Sequence, residues 1–284
     1  MAEERIHRAV SADGTEIAGR VSGSGPPLVF VHGDFETGDT AWGELLPHLT
    51  RHFRCYAMNR RGRGLSATSD ALSTERLVQD VVAFTESIGE PVGLVGESSG
   101  GPLVLGAAAR SAAVSAVAAY EPVVYEAWTG EEEATFWDLV EEVDGLAAQG
   151  RPVAGMRAFA AWVGNDDELA AIAGEPEALV ALAENVPIQI REFKQLRTPE
   201  GPSTTGPSQL REVGGPVLLL RGTKSRIGDY VDRGISHIAA HVQDVSRREI
   251  PGAGHFGPVL APEPIAEELI RFFSASERKR HGAA

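Results

Sequence analysis

Eight short runs along the chain have the composition of β-strands: IHRAV, EIAGRV, PLVFV, FRCYAM, PVGLVG, VSAVAAY, PVLLLRG and DVSRREI. Several are apolar at every position rather than at alternate ones. Such a strand is buried on both faces, so layers must cover the sheet above and below. Helix-type segments lie between many of the runs. Residues 73–88 place Leu77, Val78, Val81, Val82 and Phe84 on one face, and Gly100 to Arg110 is small and apolar. Tyr230 to His241 and Pro262 to Phe273 mix polar and apolar positions. Strands alternating with helices predict an α/β fold, a mostly parallel central sheet flanked by helices.

The alternation stops after Tyr120. From about Glu131 to Arg197 only helix signals occur: Trp137, Val140 and Leu146 at helical spacing, then Phe159 and Trp162. Gly150-Arg151-Pro152 and Gly174-Glu175-Pro176 punctuate them, and TPEGPSTTGPS (198–208) is a loop without apolar periodicity. The strand pattern resumes at Pro216. The predicted organisation is a core of residues 1–125 and 213–273, an inserted helical cap of residues 126–212, and a disordered tail over 274–284.

A net charge of −14 opposes nucleic acid and anionic membranes as partners and leaves a small molecule as the expected one. The lone cysteine, Cys55, sits in an apolar run and reads as a buried small hydrophobe, which suits a reducing compartment. MAEERIHRAV is polar and charged, unlike a signal peptide, and no apolar run approaches the ~20 residues of a membrane span. The expected location is cytoplasmic.

Gly96-Glu97-Ser98-Ser99-Gly100 matches G-x-S-x-G, a weak pattern by itself in a chain with 32 glycines. Its setting adds weight: it follows the apolar strand PVGLV and precedes a small-residue helix. A sharp strand–turn–helix junction lifts a serine hydroxyl out at the C-terminal edge of a sheet, and the helix start offers free N–H groups to a developing negative charge. Ser98 is the candidate nucleophile, with Ser99 supplying a backbone N–H. A serine hydroxyl needs a base at neutral pH. His255, between the last strand and the last helix, is placed to reach a sheet edge. His237 and His241 share a helix face at i, i+4 but lack a third ligand, so they read as ordinary helix residues and no metal is expected. His32 follows PLVFV and is expected to hold its loop by hydrogen bonding. The next backbone N–H, of Asp34 or alternatively Phe35, would be a second oxyanion donor.

Together these elements resemble the α/β-hydrolase superfamily over nearly the whole chain. The matching pieces are VHG (31–33), NRRGRGLS (59–66), GESSGG (96–101), YEP (120–122), PVLLLRG (216–222) and GAGHF (252–256). The resemblance implies a serine hydrolase core with a helical cap, no cofactor, and the chain order nucleophile, acid, histidine.

The acid departs from the common pattern. Many relatives carry it three residues beyond the glycine that ends PVLLLRG, and here that position is Ser225. Glu121, directly after VSAVAAY and expected to be held extended by Pro122, is favoured over Asp229, which lies further along the loop after Gly222. Glu97 is expected to play a structural role, pointing away from the serine. A carboxylate at Asp34 would oppose an oxyanion, so its side chain is expected to face away; otherwise the site binds a substrate hydroxyl or holds Asp34 protonated. Asn59, Arg60, Arg61 and Arg63 are expected to brace loops.

G-x-G-x-x-A at residues 62–67 invites a dinucleotide reading, but that fingerprint needs a helix opening on its glycines and LSATSDALS reads as a loop. The expected activity is hydrolysis of an ester, lactone or related acyl bond of a small to medium apolar substrate. Phe35, Tyr125, Trp128, Trp137, Trp162 and Phe256 are candidates to line the cleft, while most aromatic residues of the cap are expected to pack its helices together. Other cofactor-free chemistry on the same fold (carbon–carbon hydrolysis, perhydrolysis, a lyase or cyclase) and a non-catalytic binding role are the alternatives.

Overall fold

In a computed structural model, which describes residues 5–282, the eight strand-like runs all form strands, and these join in one sheet. They are β1 (Arg5–Val10), β2 (Glu16–Gly23), β3 (Pro27–Val31), β4 (Arg54–Met58), β5 (Val92–Glu97), β6 (Val114–Tyr120), β7 (Val217–Gly222) and β8 (Val245–Ile250). Across the sheet the order is β1-β2-β4-β3-β5-β6-β7-β8. β2 pairs antiparallel with β1 and β4, and every other neighbouring pair is parallel.

The helices of the first half are α1 (Gly38–Trp42), α2 (Leu46–Leu49), α3 (Thr74–Glu86) and α4 (Gly100–Ala108). Between β6 and β7 come α5 (Gly130–Ala148), α6 (Pro152–Val163), α7 (Asp166–Gly174), α8 (Pro176–Ala183), α9 (Val186–Leu196) and α10 (Pro207–Arg211). α11 (Gly228–Ala239), α12 (Gly257–Leu260) and α13 (Pro262–Gly282) complete the chain.

The continuously apolar strands supply two cores at once. Along β3, Val29 and Val31 pack with Val78 and Val81 of α3, while Leu28 and Phe30 face Trp42 and Phe53 on the other side. Each such side chain contributes about 1.5–3 kcal/mol through burial. The inserted helices start where capping boxes place them. Thr129 with Glu132 opens α5, and Asn165 with Glu168 opens α7. They bury a third core of their own, built from residues such as Phe136, Val140, Met156, Leu179 and Phe193, and Phe35 from the loop after β3 plugs into it.

The expected tail is helical instead. α13 runs to Gly282, and only Ala283 and Ala284 of that segment lie outside the described residues. Arg280 pairs with Glu277 at i, i+3, and the basic run 278–280 sits at the negative end of the helix dipole, where cations are favoured. Among the described residues no helix is long and apolar enough to cross a membrane.

Candidate active site

β5 passes into α4 through Ser98 and Ser99. Ser98 has φ of 47°, a left-handed conformation that costs a non-glycine residue of order 1–3 kcal/mol. Hydrogen bonds hold it there: its N–H donates to Tyr120 O at 2.9 Å, and its carbonyl accepts from Gly101 N at 3.0 Å and Val123 N at 3.1 Å. The glycines permit the bend. A Cβ at Gly96 would lie 2.6 Å from Gly100 O, and one at Gly100 would strike Val31 O.

His255 reaches Ser98 from the far end of the sequence, its Nε2 lying 3.2 Å from Ser98 Oγ. Its Nδ1 lies 2.8 Å from Glu121 Oε2. The structure therefore brings Ser98, His255 and Glu121 into one line at the C-terminal edge of the sheet. Glu121 Oε1 accepts from Gly222 N at 2.9 Å, and Oε2 also accepts from Ser225 Oγ at 2.9 Å. Ser225 thus occupies the expected acid position and turns its hydroxyl to the Glu121 carboxylate. Asp229 is elsewhere: it stands in the first turn of α11, beside a polar surface hollow of about 380 Å³ that contains neither Ser98 nor His255. Glu121 is not extended as Pro122 predicted. Its φ is 43°, because the Glu121 N–H bonds Leu220 O at the sheet edge while its carboxylate is fixed by three donors.

The loop after β3 forms the facing wall. His32 is fully buried, with Nδ1 2.9 Å from Gly33 O and Nε2 accepting from Arg60 N at 3.1 Å. Burial, and then the nearby Arg60 and Arg63 charges, push its pKa well below the ordinary value, so it is a neutral brace. The Phe35 N–H is committed to Gln189 Oε1 at 3.1 Å, which removes it as an oxyanion donor. Among the described residues the N–H groups of Asp34 and Ser99 donate to no protein acceptor. The Asp34 side chain turns to Ser99 Oγ at 2.7 Å and Gln189 Nε2 at 2.9 Å, with Arg60 Nη1 at 3.8 Å. Burial raises the Asp34 pKa, and the Arg60 charge opposes that rise.

Sequence reasoning missed what holds this loop. Asn185, Gln189 and Glu192 lie at i, i+4, i+7 along one face of α9, and that face meets the core. Asn185 Nδ2 donates to Phe35 O at 2.9 Å, and Gln189 bridges Phe35 N, Asp34 and Arg63. Glu192 pairs with Arg60 and, at 2.8 Å, with Arg63. The missed signal was arithmetic: three arginines within NRRGRG, if buried, need buried acids. Asp80 and Asp13 serve Arg61, while Glu192 serves Arg60 and Arg63. Glu192→Ala is expected to destabilise the protein by about 3–5 kcal/mol, because it leaves the buried Arg63 without an acid and Arg60 with Asp34 alone, at 3.8 Å. Urea denaturation measures this, and a loss below about 1 kcal/mol would contradict the bracing role.

Ser98 and His255 open on a cavity of about 230 Å³ whose walls are mostly apolar: Met156, Phe159 and Val163 of α6, Ile172 of α7, Leu179 and Leu182 of α8, and Phe256, Val259 and Leu260 from the histidine side. Phe35 lines it too. A narrow annex of about 20 Å³ shares Ser98 and His255 and is lined by Tyr125, Trp128 and Trp162. Trp137 reaches neither space; its ring lies under the Arg197 guanidinium at 4.4 Å on the outside of the insertion. Glu97 lines the main cavity instead of turning from it, because Gly33 leaves room beside it. Its Oε1 accepts from Gly33 N at 3.5 Å, and its carboxyl is hydrogen-bonded to Glu36, which sequence reasoning also missed.

Comparison with known proteins follows the same lines. Residues 28–268 match the family described as the alpha/beta hydrolase family. An alpha/beta hydrolase from Sphaerobacter thermophilus DSM 20745 superposes with a TM-score of 0.73 at 27% identity, over 94% of this chain and 100% of that one. The esterase RhEst1 from Rhodococcus sp. ECU1013 has the same fold, with a TM-score of 0.73 at 24% identity over 95% and 98% of the two chains. A more local similarity, 32% identity over 107 residues, links the chain to the 2-hydroxy-6-oxo-6-(2'-aminophenyl)hexa-2,4-dienoic acid hydrolase of Metapseudomonas resinovorans; it spans 36% of this chain and 37% of that protein. A family match over most of the sequence, on a sheet of this order, establishes that the chain belongs to the alpha/beta hydrolase family.

Proposed function

We propose that the protein is a serine hydrolase that cleaves an ester, lactone or related acyl bond of a small to medium apolar substrate. The observation that carries this reading is the unbroken Glu121–His255–Ser98 hydrogen-bond chain, 2.8 and 3.2 Å long, ending in an apolar cavity. His255 Nε2 takes the Ser98 proton as Oγ attacks the acyl carbonyl. The Asp34 and Ser99 N–H groups receive the oxyanion. The imidazolium then protonates the leaving alcohol, and the acyl group stays on Oγ. A water gives its proton to His255, attacks the acyl-enzyme and releases the acid, returning the proton to Ser98. Glu121 accepts a hydrogen bond from Nδ1–H throughout, stays ionised and stabilises the imidazolium. The helices between β6 and β7 serve as a cap over the acyl group. The buried, unpaired Cys55 supports a reducing location, the cytoplasm.

Carbon–carbon hydrolysis on the same residues is the second reading, favoured by the local similarity to the dienoic acid hydrolase. A panel of neutral aryl esters, lactones and β-diketones separates the two. A fluorophosphonate probe tests the shared premise: intact-mass analysis should show one adduct, mapped to Ser98 and missing in Ser98→Ala. An unlabelled wild-type enzyme would sink both readings.

Acid should inhibit the enzyme early. Burial lowers the His255 pKa, but the Glu121 hydrogen bond and charge, with Glu168 and Glu36 behind them, outweigh it and raise the pKa above the ordinary 6.5. The base works only when neutral, so kcat/KM should fall as pH drops through a midpoint above 6.5. A stopped pH profile with its acid limb centred below that value contradicts the assignment.

A further inference from the structure

Most buried carboxylates of the core have a cation beside them: Asp80 has Arg61, Glu192 has Arg60 and Arg63, Asp34 has Arg60, and Glu121 has His255. Glu36 and Glu97 have no lysine or arginine partner among the described residues. They face each other across Gly33, in the wall of the cavity that holds Ser98. Gly33 also serves as a ruler. A methyl group there would sit 3.2 Å from Ser98 Cβ and 3.3 Å from Glu36 Oε2, so this carboxylate oxygen stands no more than two van der Waals contacts from the nucleophile's Cβ. The rest of that cavity is mostly apolar, and neither lysine nor arginine lines it.

We propose that Glu36 is a specificity residue: it selects acyl groups that carry a hydrogen-bond donor, ammonium or hydroxyl, near the carbonyl, and it rejects carboxylates. The proposal rests on the serine hydrolase reading and adds to it the class of acyl group. Glu36 is hydrogen-bonded to Glu97 and the Gly33 backbone but has no lysine or arginine beside it, and its two oxygens keep further acceptor capacity toward the cavity, so a donor from the substrate gains a charge-assisted hydrogen bond. An anionic substrate meets repulsion there that only a protonated His255 offsets. Burial raises both carboxyl pKa values, that of Glu97 further because the Glu36 charge and the bond between them add to it, while the same bond lowers that of Glu36, so a proton shared by the pair is favoured on Glu97. Glu97 is a positioning residue: it aims the Glu36 carboxylate and does not itself meet substrate.

Reversible boronic acids test this without turnover. Phenylboronic acid and its 3-aminomethyl, 3-hydroxymethyl and 3-carboxy derivatives each form an adduct with a nucleophilic serine, and calorimetry gives their Kd values. The aminomethyl compound should bind at least about tenfold more tightly than the carboxy compound, with the hydroxymethyl compound between them. Glu36→Gln removes the charge and should bring the aminomethyl-to-carboxy ratio to within about threefold. Glu97→Gln keeps an N–H donor toward Glu36 and should retain the preference. Equal binding of the aminomethyl and carboxy compounds by the wild type, or an unchanged ratio in Glu36→Gln, overturns the proposal while leaving the hydrolase reading intact. Failure of all four to bind overturns both. The wild-type ratio decides alone if Glu36→Gln does not fold.

Discussion

Ser98→Ala is expected to lower kcat for a cleaved ester by about 10⁶-fold, with the cavity still formed. The alcohol oxygen is the atom of residue 98 that attacks the carbonyl, and alanine removes it alone. A residual rate above water would persist, since the Asp34 and Ser99 N–H groups still stabilise an oxyanion formed by direct attack of water. Alanine also tolerates the left-handed bend about as well as serine, so the melting temperature should move little. Steady-state kinetics on purified protein, beside circular dichroism, measures both. A variant with more than about a tenth of wild-type kcat would remove Ser98 from the mechanism.

Glu121→Gln comes next in size, at about 10⁴-fold in kcat. The reason lies in the count of donors around this carboxylate. Gly222 N–H, the Ser225 hydroxyl and the His255 ring all converge on its two oxygens. An amide NH₂ group must face at least one of them. Facing His255, it would donate to Nδ1 and drive the ring proton to Nε2, where the ring can no longer accept from Ser98. Asp229→Asn, at a residue on α11 beside a different hollow, should stay within about threefold of wild type. If the losses are reversed, Glu121 is a structural acid and the base is oriented from elsewhere.

The residues that line up around Ser98 were legible because each follows directly from a strand end. A buried strand announces itself by continuous apolarity, so the positions just beyond PVGLV and VSAVAAY could be placed at one edge of the sheet. His255 could be read the same way from the last strand. Ser225 leaves the common acid position without a charge, and Glu121 stands out over Asp229 because it directly follows VSAVAAY; the serine donates a hydrogen bond to it. Three-dimensional company was not legible. Glu36 sits in a polar stretch, DFETGDT, with no periodicity to set it apart. Trp137 has the same helical spacing as cleft-lining aromatic residues, but the rotation of α5 decides which of them face the cavity. The polar stripe of α9 resembles a solvated face until the buried arginines that it meets are known.

That stripe has a practical corollary. Caps of hydrolases invite exchange, since a new lid promises a new pocket on an old chassis. Here the helices between β6 and β7 are also a bracket: Asn185 and Gln189 hold the segment that carries the Asp34 N–H, and Glu192 neutralises the two arginines beneath it. A chimera that imports a foreign lid without these three anchors would change the guest list and unhinge the door frame together.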